Sequence, residues 1–292
     1  MIHFVKAALS GFEVFGSYFI NPQMELKMSG AQKGLPQLYP KKACCEIIGF
    51  LRRMTHMSRS FCLFGLSGGI DSAVVAYLLF RALKRDQIKA IIMPYHQSDK
   101  QSMEDALLVV KDLGMDYQVV DISPCIDSYY DRFPEADRYR LGNKMARERM
   151  SVLYDMAMVH RGLVVGTGNR SELLLGYFTK HGDGGVDLEP LGGLYKTHVY
   201  ELAKYLGVPE RIIKKHPTAD LWPGQRDEDE LGIGYEEADQ ILYYLMEKGE
   251  NIERIVQRGF GRDRVEQVSG LVRYSEHKRR MPPIPEMGLI FP

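Results

Sequence analysis

Phe61-Cys62-Leu63-Phe64-Gly65-Leu66-Ser67-Gly68-Gly69-Ile70-Asp71-Ser72 runs from an apolar strand into a turn of paired glycines flanked by serines. The apolar run 73–80 follows at once and predicts a helix over 72–84. Glycines let backbone N–H groups approach a ligand, serine hydroxyls add donors, and a new helix presents the positive end of its dipole. The turn therefore predicts an anion cradle with phosphate as its natural occupant. Asp71 would repel phosphate oxygens unless a divalent cation lay between them, so its presence predicts a metal. A lone Gly-Gly after a strand also suits a tight turn with a serine cap. Its position between strand and helix is what gives it chemical meaning.

Outward from this turn the pattern alternates. Helix is predicted over 46–56, strand over 61–66 and 88–93, and helix over 99–113, where Gly114 stops it. Strand 117–122, helix 142–160 and strand 163–166 continue the alternation. Strands alternating with helices predict a doubly wound parallel sheet covered on both faces, with ligands beyond the carboxyl ends of the strands. After residue 182 come a glycine-rich turn, a helix over 197–206, and the polar segment 216–232 (HPTADLWPGQRDEDELG). That segment is too long and charged for an idle connection and predicts a mobile lid. Helices over about 235–248, 251–258 and 262–275 close the domain.

The 292 residues, 45% hydrophobic and 26% charged, suffice for one large globular domain. Lys plus Arg equals Asp plus Glu at 38, so no global field draws the chain to nucleic acid or an anionic membrane. The longest apolar run is far short of the roughly 18 residues of a membrane span. Cys44, Cys45, Cys62 and Cys125 have neither zinc-site spacing nor disulfide-scaffold density, which favours a reducing cytoplasm. The stretch 7–20 lacks the basic flank and cleavage site of a signal peptide. Residues 1–40 read as a poorly ordered extension, 41–281 as the folded domain, and 282–292 (PPIPEMGLIFP) as a tail.

The SGGxDS pattern resembles the pyrophosphate loop of the ATP pyrophosphatases, which split ATP between the α and β phosphates and include GMP, asparagine and NAD synthetases. Further blocks choose among them: Lys144–Met150 (KMARERM), Gly166–Glu172 (GTGNRSE), Gly176–Asp187 (GYFTKHGDGGVD) and Pro190–Lys196 (PLGGLYK). Pro217–Asp220 with Asp229–Gly232, and His277–Arg279, complete the series. Over residues 44–281 their order and spacing resemble the NAD synthetase family, and that resemblance implies an adenine nucleotide alpha hydrolase-like, Rossmann-like fold with C-terminal helices.

The resemblance also implies roles. Gly65, Leu66, Ser67, Gly68, Gly69, Ile70, Asp71 and Ser72 would bind ATP together with Thr167, Lys196 and Thr218. Asp71 and Glu172 would hold Mg²⁺, for which hard oxygen ligands are suited. Arg147, Lys180, Asp187, His277 and Lys278 would hold deamido-NAD, and Asp71, Lys196 and Asp187 are the catalytic candidates. Without it, Arg147 and Lys278 would read as solvated helix charges, and Asp187 as a residue that orients Lys180. The implied reaction adenylylates the nicotinate carboxylate and displaces AMP with ammonia. About sixty residues precede the loop, so no built-in glutaminase is expected and a separate glutaminase subunit is not indicated. The resemblance further implies a homodimer. Competing readings are a tRNA-modifying thiolase, a GMP synthetase subunit, or a non-catalytic nucleotide sensor.

Overall fold

Strand β1 (Phe61–Gly65) lies inside the sheet with its central residues buried, and its side chains alternate between two cores. Cys62 and Phe64 point into one core and Leu63 into the other. The structure is a computed structural model that describes residues 34–58, 61–222 and 224–285. Residues 1–33 of the expected 1–40 extension, Arg59 and Ser60, Pro223 and the end of the tail lie outside the described residues.

Helix α1 (Pro40–Ser58) precedes β1, and α2 (Ile70–Ala82) follows it. Then come β2 (Ile88–Ile92), α3 (Lys100–Leu113), β3 (Tyr117–Val119), α4 (Ser123–Tyr130), α5 (Arg138–His160) and β4 (Gly162–Val165). After β4 the chain is helical among the described residues: α6 (Arg170–Leu175), α7 (Lys196–Leu206), α8 (Glu210–Ile213) and α9 (Asp227–Leu231). The last three are α10 (Tyr235–Leu242), α11 (Ile252–Gln257) and α12 (Arg262–Tyr274).

The sheet order is β3-β2-β1-β4, parallel throughout. One face packs on α1, α2, α3 and α7 around Phe64, Val75 and Val199; the other packs on α4 and α5 around Leu63, Ile126 and Met145. This is the expected doubly wound architecture. Because β1 leads outward to β2 while β4 joins its opposite edge, the strand order reverses beside β1, where a crevice opens at the carboxyl ends. A third core, built from α6, α10, α11 and α12 around Leu175, Ile241 and Val268, closes that crevice from the side.

Several boundaries differ from expectation for local reasons. The packed domain begins before residue 41: Leu35 and Leu38 pack on the cores, and the Pro36 carbonyl meets His198 at 2.9 Å. Helix α5 starts at Arg138, not at 142, because Asp137 caps it through the Arg140 N–H at 2.8 Å. Strand β3 ends at Val119, and the unexpected α4 follows once Asp121 accepts the Ser123 amide at 2.8 Å. The 235–248 helix becomes a π-helical turn at Tyr243–Glu247. The 216–232 segment is no free loop throughout: Gln225, Asp227 and Leu231 are buried, and α9 lies inside it.

Candidate active site

The β1–α2 turn is folded by its own serines. Ser72 Oγ accepts the Ser67 amide at 3.2 Å, lies 3.1 Å from Ser67 Oγ, and donates to the Gly69 carbonyl at 3.0 Å. Gly68 has φ +79°, and a Cβ there would meet the Ser102 carbonyl oxygen of α3 at 2.2 Å. Only glycine lets the turn lie that close to α3. No side chain caps α2, so its first amides face an open cleft of about 1150 Å³. Every other turn residue from Gly65 to Ser72 lines that cleft, as do Thr167, Glu172, Lys196 and Thr218.

At the foot of the cleft three charged groups from distant segments meet. Lys196 Nζ donates to Asp71 Oδ2 at 2.5 Å and to Glu172 Oε1 at 3.0 Å. Asp71 comes from the first turn of α2, Glu172 from α6, and Lys196 opens α7. Burial opposes the Lys196 charge, but the Asp71 and Glu172 carboxylates outweigh it and hold its pKa well above the ordinary range. Burial pushes Glu172 up to about 8, with Lys196 pulling against it and Asp71 adding to the rise. Lys196 Nζ also lies 5.3 Å from the Tyr235 ring centroid, a cation–π contact.

The substrate-binding candidates gather elsewhere. Arg147 Nε donates to the Lys180 carbonyl at 3.2 Å, and Lys180 Nζ donates to the His277 carbonyl at 2.7 Å. Lys278 Nζ donates to the Gly176 and Phe178 carbonyls, both at 2.7 Å. The tertiary structure thus joins Arg147, Lys180, His277 and Lys278 into one basic rim, of which Lys278 lines the cleft. Asp187 stands apart: its carboxylate accepts the Tyr154 hydroxyl at 3.0 Å and the Val164 amide at 2.8 Å. Those bonds seat Asp187 against β4, and no bond to Lys180 orients that side chain.

Three residues escaped the sequence reading. Asn169 is fully buried; its Nδ2 donates to Asp71 Oδ1 at 2.9 Å while its amide donates to Glu172 Oε2 at 3.2 Å. It takes one oxygen of each carboxylate and leaves the other facing Lys196. The Asn-x-x-Glu capping box was the available signal. Asp227 is 3% exposed, lines the cleft, and has an Oδ1 without a hydrogen-bond partner. Burial raises its pKa, opposed by Lys196. Arg149 lines the cleft beneath Met93, whose carbonyl accepts its Nε at 3.0 Å.

The donor set at the foot suits magnesium, which takes one or two carboxylates and completes its shell with phosphate oxygens and water. Among the described residues no group of three or more His, Cys, Asp or Glu forms an all-protein cage. Two carboxylates beside the glycine turn fit an ion that arrives with a nucleotide.

Comparison with known proteins agrees with this chemistry. The family described as NAD synthase matches residues 45–282. The NH(3)-dependent NAD(+) synthetase of Fusobacterium nucleatum is 46% identical over 238 residues, 81% of this chain and 92% of that protein. The structure is similar to an NMN synthetase from Francisella tularensis, with TM-score 0.76 and 34% identity over 86% of this chain and 100% of that one. It is also similar to an NH3-dependent NAD synthetase from Campylobacter jejuni, solved with nitrate, with TM-score 0.74 and 35% identity over 85% and 100%.

Proposed function

The chain belongs to the NAD synthase family, and from that premise we propose that it amidates the nicotinate carboxylate of deamido-NAD with ammonia, at the expense of ATP. It is an enzyme, a ligase that forms a carbon–nitrogen bond. The observation that carries the reading is the meeting of Asp71, Glu172 and Lys196 beside a glycine turn at the foot of an open cleft of about 1150 Å³. A thiolase, a GMP synthetase subunit or a silent sensor has no comparable support.

The chemistry follows from the charges. A carboxylate is a poor electrophile, so its oxygen first attacks the α-phosphorus of ATP and the bond to the β-phosphate oxygen breaks. Pyrophosphate leaves with that electron pair. The turn amides and the α2 terminus receive its negative charge, and Lys196 offsets the charge that develops as the bond breaks. Thr167 and Thr218 supply hydroxyl donors. Neutral ammonia then adds to the acyl carbon of the mixed anhydride, loses a proton to solvent, and AMP departs with the anhydride oxygen. Positioning and charge stabilisation suffice without a protein nucleophile. Asp71 and Glu172 would hold Mg²⁺, which when bound neutralises phosphate charge.

The basic rim of Arg147, Lys180, His277 and Lys278 suits the anionic dinucleotide, and Asp187 braces β4 beside it. The proposed assembly is a homodimer: Tyr154, Met158 and Val159 leave an exposed apolar stripe on α5, the helix that also carries Arg147. No described helix is long and apolar enough to cross a membrane, and the described cysteines are all free, so a cytoplasmic setting is proposed. As an ammonia user it needs no glutaminase subunit.

Likeness to an NMN synthetase favours one second reading, in which the acceptor is the deamidated mononucleotide. Both acceptors should be offered separately with ATP, Mg²⁺ and ammonium, and the products weighed by mass spectrometry. NAD, AMP and pyrophosphate in equal amounts are expected from deamido-NAD, with none from Asp71→Ala. Formation of ADP and phosphate, or no amide from either acceptor, would overturn the proposal.

A further inference from the structure

The third core does more than close the cleft. Helix α10 packs on both α6 and α7, the two helices that carry Glu172 and Lys196. At the contact it presents Asp239, which is fully buried. Asp239 Oδ1 accepts the Ser171 hydroxyl, and Oδ2 accepts both the amide and the hydroxyl of Thr197 at 2.9 Å. Ser171 Oγ in turn accepts the Lys196 amide at 2.8 Å.

Each partner is the immediate neighbour of a charged site residue: Ser171 precedes Glu172, and Thr197 follows Lys196. One carboxylate therefore ties the start of α6 to the start of α7. The spacing of those two termini decides whether Lys196 Nζ reaches Glu172 Oε1. A buried carboxylate with no ion-pair partner in contact is an expensive way to join helices, since an apolar residue of similar size would pack there without the desolvation penalty. What a carboxylate supplies is two acceptor oxygens in fixed relation, each claimed by a different helix.

We infer that Asp239 is a positioning residue for the amidation reaction, a clamp from the C-terminal helices that sets the distance between Lys196 and Glu172. The inference rests on the proposed function for its assay, but not for its geometry. Asn in this place offers one acceptor oxygen and an NH2 group that can only donate. Its oxygen would face Thr197, and its amide would face Ser171, whose hydroxyl proton would then lose its acceptor. The charge-assisted bond to α6 is lost while the shape is kept.

The test compares Asp239→Asn with Ile241→Ala, a fully buried core change on the same helix. Both lower the thermal midpoint. Asp239→Asn should lower kcat about 10- to 100-fold, in line with the cost of a misplacement near 1 Å. It should also weaken MgATP binding in calorimetry about tenfold, with KM for deamido-NAD within about threefold of wild type. Ile241→Ala should leave kcat within about twofold. Thr197→Ser keeps the hydroxyl and should match wild type, whereas Thr197→Val should lose part of kcat. Equal losses in Asp239→Asn and Ile241→Ala, or wild-type MgATP binding and turnover in Asp239→Asn, would overturn the inference. Should Asp239→Asn not fold, equal behaviour of the two Thr197 variants overturns it and a Val-specific loss supports it. A wild-type protein that binds MgATP but makes no amide would sink the proposed acceptor, and the calorimetry would still decide the clamp.

Discussion

At the foot of the cleft each charged group is held by other charged or polar side chains. Lys196 lies between Asp71 and Glu172, and Asn169 grips both carboxylates from behind. At the rim, Arg147, Lys180 and Lys278 donate to backbone carbonyls. A cation tied to a neutral carbonyl can turn to an incoming anion and leave only a carbonyl to be hydrated. Lys196, itself buried, cannot leave without stranding two partly buried carboxylates. The foot is therefore preorganised for charge stabilisation, and the rim is suited to capture.

The largest effect should come from Lys196→Ala. Turnover should fall about 10³-fold, the scale of losing a fixed charge stabiliser. The free protein should also lose about 3–5 kcal/mol in urea unfolding, because Asp71 and Glu172 would face each other unpaired. A stability loss under about 1 kcal/mol would mean that the foot is solvated like the rim. Gly68→Ala comes next: a Cβ 2.2 Å from the Ser102 carbonyl must push the turn off α3. About 2–3 kcal/mol of stability should be lost and ATP binding weakened, both visible by calorimetry.

Lys180→Ala should behave in the opposite sense. KM for deamido-NAD should rise about tenfold with kcat within about twofold, and stability should change by no more than about 0.5 kcal/mol. A kcat loss as large as that of Lys196→Ala would erase the distinction between foot and rim.

The last effect is read against pH and concerns Glu189, which lies under the Gly166–Gly168 turn. Burial, then Glu172 and Asp183, push its carboxyl from the ordinary 4.5 up to about 8. With the folded value above the unfolded one, the neutral form is favoured by folding. Its contribution is full below pH 4.5 and is lost as pH rises through about 8. Glu189→Gln should therefore flatten the fall in thermal midpoint between about pH 5 and 8.5. An unchanged slope would remove Glu189 from the account.

Much of this was legible in the chain. Residues 61–72 carry strand, glycine turn and helix start within one local pattern, and the capping box at Asn169 marks the start of α6. The basic rim could be named only by resemblance, because Arg147, Lys180 and Lys278 have no local signature separating them from solvated surface charges. The burial within residues 216–232 was hidden for a related reason. Gln225 and Asp227 are polar yet buried, and a polar sequence does not reveal burial when side-chain hydrogen bonds replace hydrophobic contact.

What the sequence alone determined is the alternation of strands and helices and the anion-binding turn after β1, since both follow from backbone periodicity and glycine freedom over a few residues. What only the tertiary structure decided is that Lys196, 125 positions from Asp71, closes on it while Asp239 spans α6 and α7. Such meetings depend on the order β3-β2-β1-β4 and on how α10 packs beside the sheet. Contacts between distant residues are set by that packing, and no local pattern encodes it.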